Sequence, residues 1–205
     1  MNSFAFRVAL FFLFIPSSVQ SLEHGVPAGL AADFIHAVVE AGRTTYSEQV
    51  VEHLARQNSL TASENWEQEK TLLLPAQFLS MSSKISNARG IGMKYRLLSL
   101  WPLNNNNAPR SQNEKLGLEE VVRNPDKPFT WVVPRDGRWY FEAIYPDIAV
   151  TETCVTCHNN HPNSPKTDFE IGDVMGGIII DLPLGKRTEK NVDEKFLLAP
   201  EVVAD

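Results

Sequence analysis

Cys154, Cys157 and His158 fall within five consecutive positions, C-V-T-C-H. Two thiols three residues apart match the two vinyl groups of a haem, to which each adds as a thioether. The adjacent imidazole then lies under the iron as its proximal ligand. The pattern reads as the attachment signal for one covalent c-type haem, held by Cys154 and Cys157, with His158 on the metal.

Two other chemistries use close cysteines. A thiol–disulfide redox site places C-x-x-C between a strand and a helix of a β-α-β unit. Here the pair follows an aromatic strand pattern and precedes a loop rich in Pro, Asn and Ser, from Asn159 to Pro165. A zinc site built on Cys154, Cys157 and His161 needs a fourth ligand, and the usual second half of such a motif is missing. The chain has two cysteines in total, both in the motif, so it is not a disulfide scaffold. The His directly after the second Cys favours haem.

Covalent haem attachment requires export, and the N-terminus has the pattern for it. Arg7 is a short positive region, Val8 to Ile15 an apolar run, and Pro16 to Ser21 a small and polar stretch. We read residues 1–21 as a signal peptide cleaved after about Ser21. The apolar run is shorter than the ~20 residues that span a bilayer. Retention as an anchor is the alternative, and no later segment is long and apolar enough to cross a membrane. Of 205 residues, 184 then remain, enough for one domain with a sizeable core. Cleavage removes Arg7 alone among charged residues, leaving 18 of the 19 basic residues against 25 acidic ones, a net charge of −7. Such a balance argues against nucleic acid or an anionic membrane surface as partner.

The elements that must position the motif follow from periodicity and turn residues. Residues 22–31 read as a leader. Asp33 is suited to cap a long helix reaching about Gln57, with Phe34, Val38, Val39, Gly42, Tyr46, Val50, His53 and Leu54 as its buried stripe. After a polar stretch from Asn58 to Lys70, Pro75 suits the first turn of a second helix with Phe78, Met81 and Ile85 on its apolar face. Lys94 to Trp101 reads as a strand, and Glu114 to Arg123 as a short helix. Phe129 to Val133 and Arg138 to Tyr145 read as a hairpin turned at Asp136-Gly137. Val174 to Leu182, nearly all apolar, reads as a central strand. The expected fold class is α+β and PAS-like: N-terminal helices, then a small antiparallel sheet with a C-x-x-C-H haem loop before the last strand. The domain is expected over 32–184, with a polar tail at 185–205. Small class I cytochromes c differ, since they carry the motif near the N-terminus of a mostly helical chain.

Five stretches carry a family resemblance: G-R-T-T-Y (Gly42 to Tyr46), L-P-A-Q-F-L (Leu74 to Leu79), Y-R-L-L-S-L-W-P-L-N (Tyr95 to Asn104), F-E-A-I-Y-P-D-I-A-V (Phe141 to Val150), and the run from Cys154 to Gly177. Together they resemble a single-haem c-type domain with a PAS-like fold, long catalogued as a domain of unknown function. The likeness covers Ala32 to Leu184. In that family the domain occurs alone in exported proteins, or as the extracytoplasmic sensor of kinases, chemoreceptors and cyclases. The resemblance implies redox or small-ligand sensing, or electron transfer. It also implies that Cys154, Cys157 and His158 hold the haem. Some members use a cysteine from outside the motif on the distal side of the iron, which the absence of a third Cys excludes here.

Met81 is the first candidate for that distal position, because a thioether is a normal axial partner to His and the residue lies on the expected apolar face of the second helix. Its alternative is a core Met filling space. His53, on the expected stripe of the first helix, is the runner-up. A position left open to a small gaseous ligand is the third possibility. His24 falls in the leader, His36 off the stripe, and His161 too close to His158 to reach the opposite face. Met93 and Met175 read as core. Arg43 and Tyr46, one helical turn apart, either bind a haem propionate and line the pocket or are a surface Arg and a core Tyr. Lys166 and Asp168 are placed to pair and shape the haem loop.

No nucleophile–base constellation and no Gly-rich phosphate loop is evident, so no enzyme activity is expected. The sequence points to an exported haem c protein. It is either a redox or ligand sensor acting through a membrane signalling partner, or a small periplasmic electron carrier with a redox partner.

Overall fold

In the computed structural model, residues 25–186 are described. The expected signal peptide, His24 and the tail beyond Lys186 lie outside them. Helix α1 (Ala28–Thr45) continues through a π-helical segment, Tyr46–Glu52, into the short α2 (His53–Arg56). Next come β1 (Ala62–Ser63), α3 (Trp66–Glu69), β2 (Leu72–Leu73) and α4 (Pro75–Asn87). Strand β3 (Lys94–Leu98), α5 (Gln112–Arg123), the strands β4 (Phe129–Arg135) and β5 (Arg138–Ile148), helix α6 (Glu152–Asn160) and β6 (Val174–Lys186) complete the fold. No helix among the described residues is long and apolar enough to cross a membrane.

Strands β3, β6, β5 and β4 form an antiparallel sheet in that order, so β6 is central as its apolar sequence required. The hairpin between β4 and β5 turns at Asp136 and Gly137, both with positive φ (51° and 71°), the geometry of a tight two-residue turn that matches strand twist. Alternation along β6 builds a three-layer molecule. Ile178, Ile180 and Leu182 pack with Ala32 of α1, Leu79 of α4, Tyr95, Ala143 and Tyr145 on one face. Ile179 packs with Leu98, Leu118 and Val121 of α5, Trp131 and Ile144 on the other. Full burial of each such aliphatic side chain contributes about 1.5–3 kcal/mol. This is the expected α+β plan, with one difference: the C-V-T-C-H motif forms helix α6, within the connection from β5 to β6, rather than a loop.

The first helix departs from expectation in start and phase. It begins at Ala28, after Pro27, and therefore includes part of the expected leader. Asp33 is inside it, its carboxylate accepting the Tyr145 hydroxyl at 2.7 Å instead of capping the helix. Phe34 and Val38 are 58% and 75% exposed. The face turned inward carries Ala32, Ile35, Val39, Arg43 and Ser47. Two causes are visible. Two polar residues lie on this face, Arg43 paired with Asp147 of a distant strand and Ser47 bonded to the Arg43 carbonyl, so its hydrophobic signal is diluted. The π segment also widens the turn, so residues beyond it are rotated off a strict 3.6-residue period, and His53 is exposed. Helix α4 begins at Pro75 as expected, with Gln77 Oε1 accepting the Leu74 N–H at 2.9 Å. Its buried residues are Pro75, Leu79 and Ser83, whereas Met81 and Ile85 face outward.

Candidate functional site

Helix α6 has no side-chain cap of its own. Its N-terminal N–H group at Thr153, free within the helix, is satisfied from outside, by Glu52 Oε2 at 3.2 Å, and the same oxygen accepts the Thr153 hydroxyl at 2.7 Å. Burial alone would raise the Glu52 carboxyl. The two bonds from Thr153 and those from Arg56 outweigh it, so the carboxyl sits below its ordinary range. Glu52 closes the π segment, so α6 is pinned to the end of that segment.

Three and four residues separate Cys154 from Cys157 and His158, which puts all three on one face of α6. That face opens on a cavity of about 650 Å³, within the range of cofactor pockets, roughly 300–1,000 Å³. The floor is buried: Arg43 of α1, Pro75 of α4, Leu98, Ser99, Asp147 and Met175. The mouth is exposed and polar, with Glu64, Asn65, Asn104, Asn105 and Asn163.

The motif residues fit a covalent haem. Neither cysteine is in a disulfide; the Cys154 sulfur lies 3.2 Å from the Thr151 hydroxyl. The Cys157 thiol is pushed up by burial, then by Glu64 and by Cys154. A redox-active thiol needs the opposite shift. His158 is held neutral by burial, with His161 and Arg43 acting in the same direction, the form in which imidazole binds a metal. Its Nδ1 is buried without a hydrogen-bond partner, so no hydrogen bond within the chain occupies that ring nitrogen. The ring of Phe169 stands perpendicular to that of His158, centroids 5.7 Å apart. Phe169 is itself held by Asn159, whose amide bonds both the N–H and the carbonyl of Phe169 at 2.9 Å. Among the described residues no three His, Cys, Asp or Glu side chains converge to hold a metal ion. A metal on His158 would thus need equatorial ligands that the chain does not supply, as a porphyrin does.

The structure separates the other candidates. Arg43 lines the cavity and is buried, its Nη2 paired with Asp147 at 3.0 Å. Tyr46 does not line it: its hydroxyl donates to the Leu73 carbonyl at 2.8 Å and its ring stacks on Phe78 at 4.6 Å. Met81 is 43% exposed and away from the cavity, to which α4 presents Pro75, Ala76, Gln77 and Ser80 instead. His53 is exposed and bonded to Gln57 at 3.0 Å. Neither Met81 nor His53 is therefore placed as a distal iron ligand. His36, expected off the stripe, is half-buried and stacks on Tyr145 at 4.0 Å. His161 lines the cavity beside Glu64, 3.3 Å away. Lys166 pairs with Asp168 at 2.5 Å and covers the Phe169 ring at 4.5 Å.

Sequence reasoning missed Asp147 and the amide-rich mouth, and read Met175 as core only. Met175 does pack as core, with Ala149 and Phe169 and against Cys154, and it also lines the cavity on the motif's own side. The available signal for Asp147 was a single acid in the apolar stretch A-I-Y-P-D-I-A-V, Ala143 to Val150. Such an acid, in a strand otherwise buried, has to find a charged partner.

The sequence model of one family, the Tll0287-like family (Tll0287), matches residues 28–183. The crystal structure of the cyanobacterial heme-protein Tll0287 is similar to this chain, with a TM-score of 0.50 and 14% sequence identity, over 80% of this chain and 100% of that one. At that identity the likeness is one of fold. No curated protein matches the chain.

Proposed function

The chain belongs to the Tll0287-like family, and we propose that it binds one haem, covalently, through thioethers from Cys154 and Cys157, with His158 Nε2 on the iron. The observation that carries this reading is the convergence of these three side chains, from one face of α6, on one cavity of about 650 Å³. The described relative in that fold is itself a heme-protein. When bound, the haem supplies one-electron chemistry and an axial site for small ligands.

The chain's own residues divide the remaining work. Glu52 fixes the N-terminal turn of α6 and so the positions of both thiols. Phe169, held by Asn159, limits rotation of the His158 ring. The exposed amides at the mouth suit charged propionates, which stay hydrated there at little cost.

Among the described residues no imidazole or thioether from α1 or α4 lines the cavity; besides His158, those that do are His161, at the end of α6, and Met175, packed against Cys154 on the motif's own side. That favours a distal side open to a small ligand, and with it a ligand or redox sensor acting through a partner protein and carrying out no reaction of its own. The N-terminal pattern supports export to the periplasm, where haem is attached. The test is coordination in the purified holoprotein. Haem staining under denaturing conditions should be positive, and the ferrous form should bind CO. A protein without covalent haem overturns the cofactor reading. A six-coordinate low-spin haem inert to CO would instead favour the small electron carrier.

A further inference from the structure

The one cationic side chain among the cavity-lining residues is Arg43. It lies on the floor, 6% exposed, not at the mouth. Asp147, equally buried, takes a single nitrogen of it: both carboxylate oxygens lie against Nη2, at 3.0 and 3.2 Å. Nε is buried with no partner. A guanidinium has five N–H donors and no acceptor, and the pairing with Asp147 leaves the buried Nε–H without an acceptor at the cavity floor. Unmet donors of a buried cation are costly, and a fixed cation in low dielectric attracts an anion far more strongly than one in water. Asp147 holds the fork in one orientation, and neutralises it when nothing else is bound.

We propose that Arg43, oriented by Asp147, is the recognition site for a small anion that enters the cavity. This rests on the haem reading, in which the same cavity carries the iron. The chemical class is a compact monoanion able to accept an N–H hydrogen bond, such as azide or fluoride. A haem propionate has the same acceptor chemistry. The exposed mouth with Asn65, Asn104 and Asn105 offers it a site where its charge stays hydrated, while the floor does not.

The experiment uses the haem-loaded chain, with covalent haem established first by staining, so that loss of the cofactor reading is seen separately. Ferric protein is titrated with azide and with fluoride, and ferrous protein with CO as a neutral control, each followed optically. Arg43→Gln combined with Asp147→Asn removes both charges together and leaves neither unpaired. Its affinity for both anions should fall about 10- to 100-fold, the loss expected for a charge-assisted hydrogen bond, with CO affinity changed less than about twofold. Arg43→Lys, which keeps the charge but not the fork, should fall between the two and serves if the double variant does not fold. Unchanged anion affinity in variants that retain haem overturns the proposal, as does a wild-type ferric protein that binds neither anion. A shift of the propionate vibrational bands with unchanged anion affinity also overturns it, and assigns Arg43 to the propionate.

Discussion

One carboxylate oxygen of Glu52 accepts both the backbone N–H and the hydroxyl of Thr153, 101 residues away in sequence. The contact joins the end of the π-helical segment to the first turn of the helix that carries Cys154, Cys157 and His158. Replacing Glu52 with Ala leaves that N–H without its cap and removes three bonds to a charged group, two from Thr153 and one from Arg56. Stability should drop by about 1–3 kcal/mol in denaturant unfolding. Glu52→Gln, which keeps one acceptor oxygen, should lose less.

The same carboxylate gives a pH dependence of definite sign. Its folded-state pKa lies below the ordinary 4.5, because the bonds from Thr153 and Arg56 outweigh the effect of burial. The stabilisation is therefore complete above the unfolded-state value and is lost as pH falls through the folded one. Unfolding free energies measured downward from about pH 5 should fall in the wild type. The Glu52→Gln protein should lack that component. Parallel curves for the two proteins would exclude Glu52 as its source.

Attachment should depend on the two sulfurs and coordination on the imidazole. A Cys154→Ala, Cys157→Ala double variant should show no haem stain after denaturation. His158→Ala should keep the stain and lose the Soret position of the wild type, because the other imidazole lining the cavity, His161, is engaged by Glu64 at 3.3 Å. An unaltered spectrum in His158→Ala would remove His158 from the iron.

Met81 and His53 should behave as surface positions. Met81→Ala and His53→Ala are expected to leave the haem spectrum unchanged and stability within about 0.5 kcal/mol. Both side chains are exposed and neither lines the cavity. A spectral shift in either would mean that it reaches the iron in the holoprotein.

Local patterns in this chain are legible, and distant partnerships are not. The Asp136-Gly137 turn, the central position of β6 and the start of α4 at Pro75 each follow from residues adjacent in sequence. The C-V-T-C-H spacing likewise picks out the three side chains, although the helix that sets them on one face was expected to be a loop. The inward face of α1 could not be read this way. His36 is covered because Tyr145 stacks on it, and Arg43 because Asp147 waits 104 residues later. Hydrophobic periodicity scores such residues as solvent-facing. It placed Phe34 and Val38 inside for the same reason, and on α4 it preferred Met81 and Ile85 to the buried Leu79 and Ser83. The cavity floor shows the same limit, since its charged pair joins Arg43 of α1 to Asp147 of β5.

Two glycines test how tightly the central strand sets the cavity floor. A Cβ on Gly176 would lie 2.2 Å from the Leu98 carbonyl oxygen, a backbone atom that cannot yield as a flexible side chain does. The neighbouring Met175 lines the cavity, and its carbonyl accepts the Ser99 hydroxyl at 2.7 Å. Gly176→Ala therefore has to separate β3 from β6 at the point where both reach the floor. The expected cost is about 3 kcal/mol or more, the upper end of overpacking penalties. Gly42 is the contrast: it lies in α1, exposed, with nothing within 4 Å of an added Cβ. Gly42→Ala should stabilise the protein by about 0.5–1 kcal/mol through helix propensity alone. Denaturant unfolding of both variants gives the comparison. A Gly176→Ala protein as stable as Gly42→Ala would show that β3 and β6 do not approach each other as closely as the fold requires.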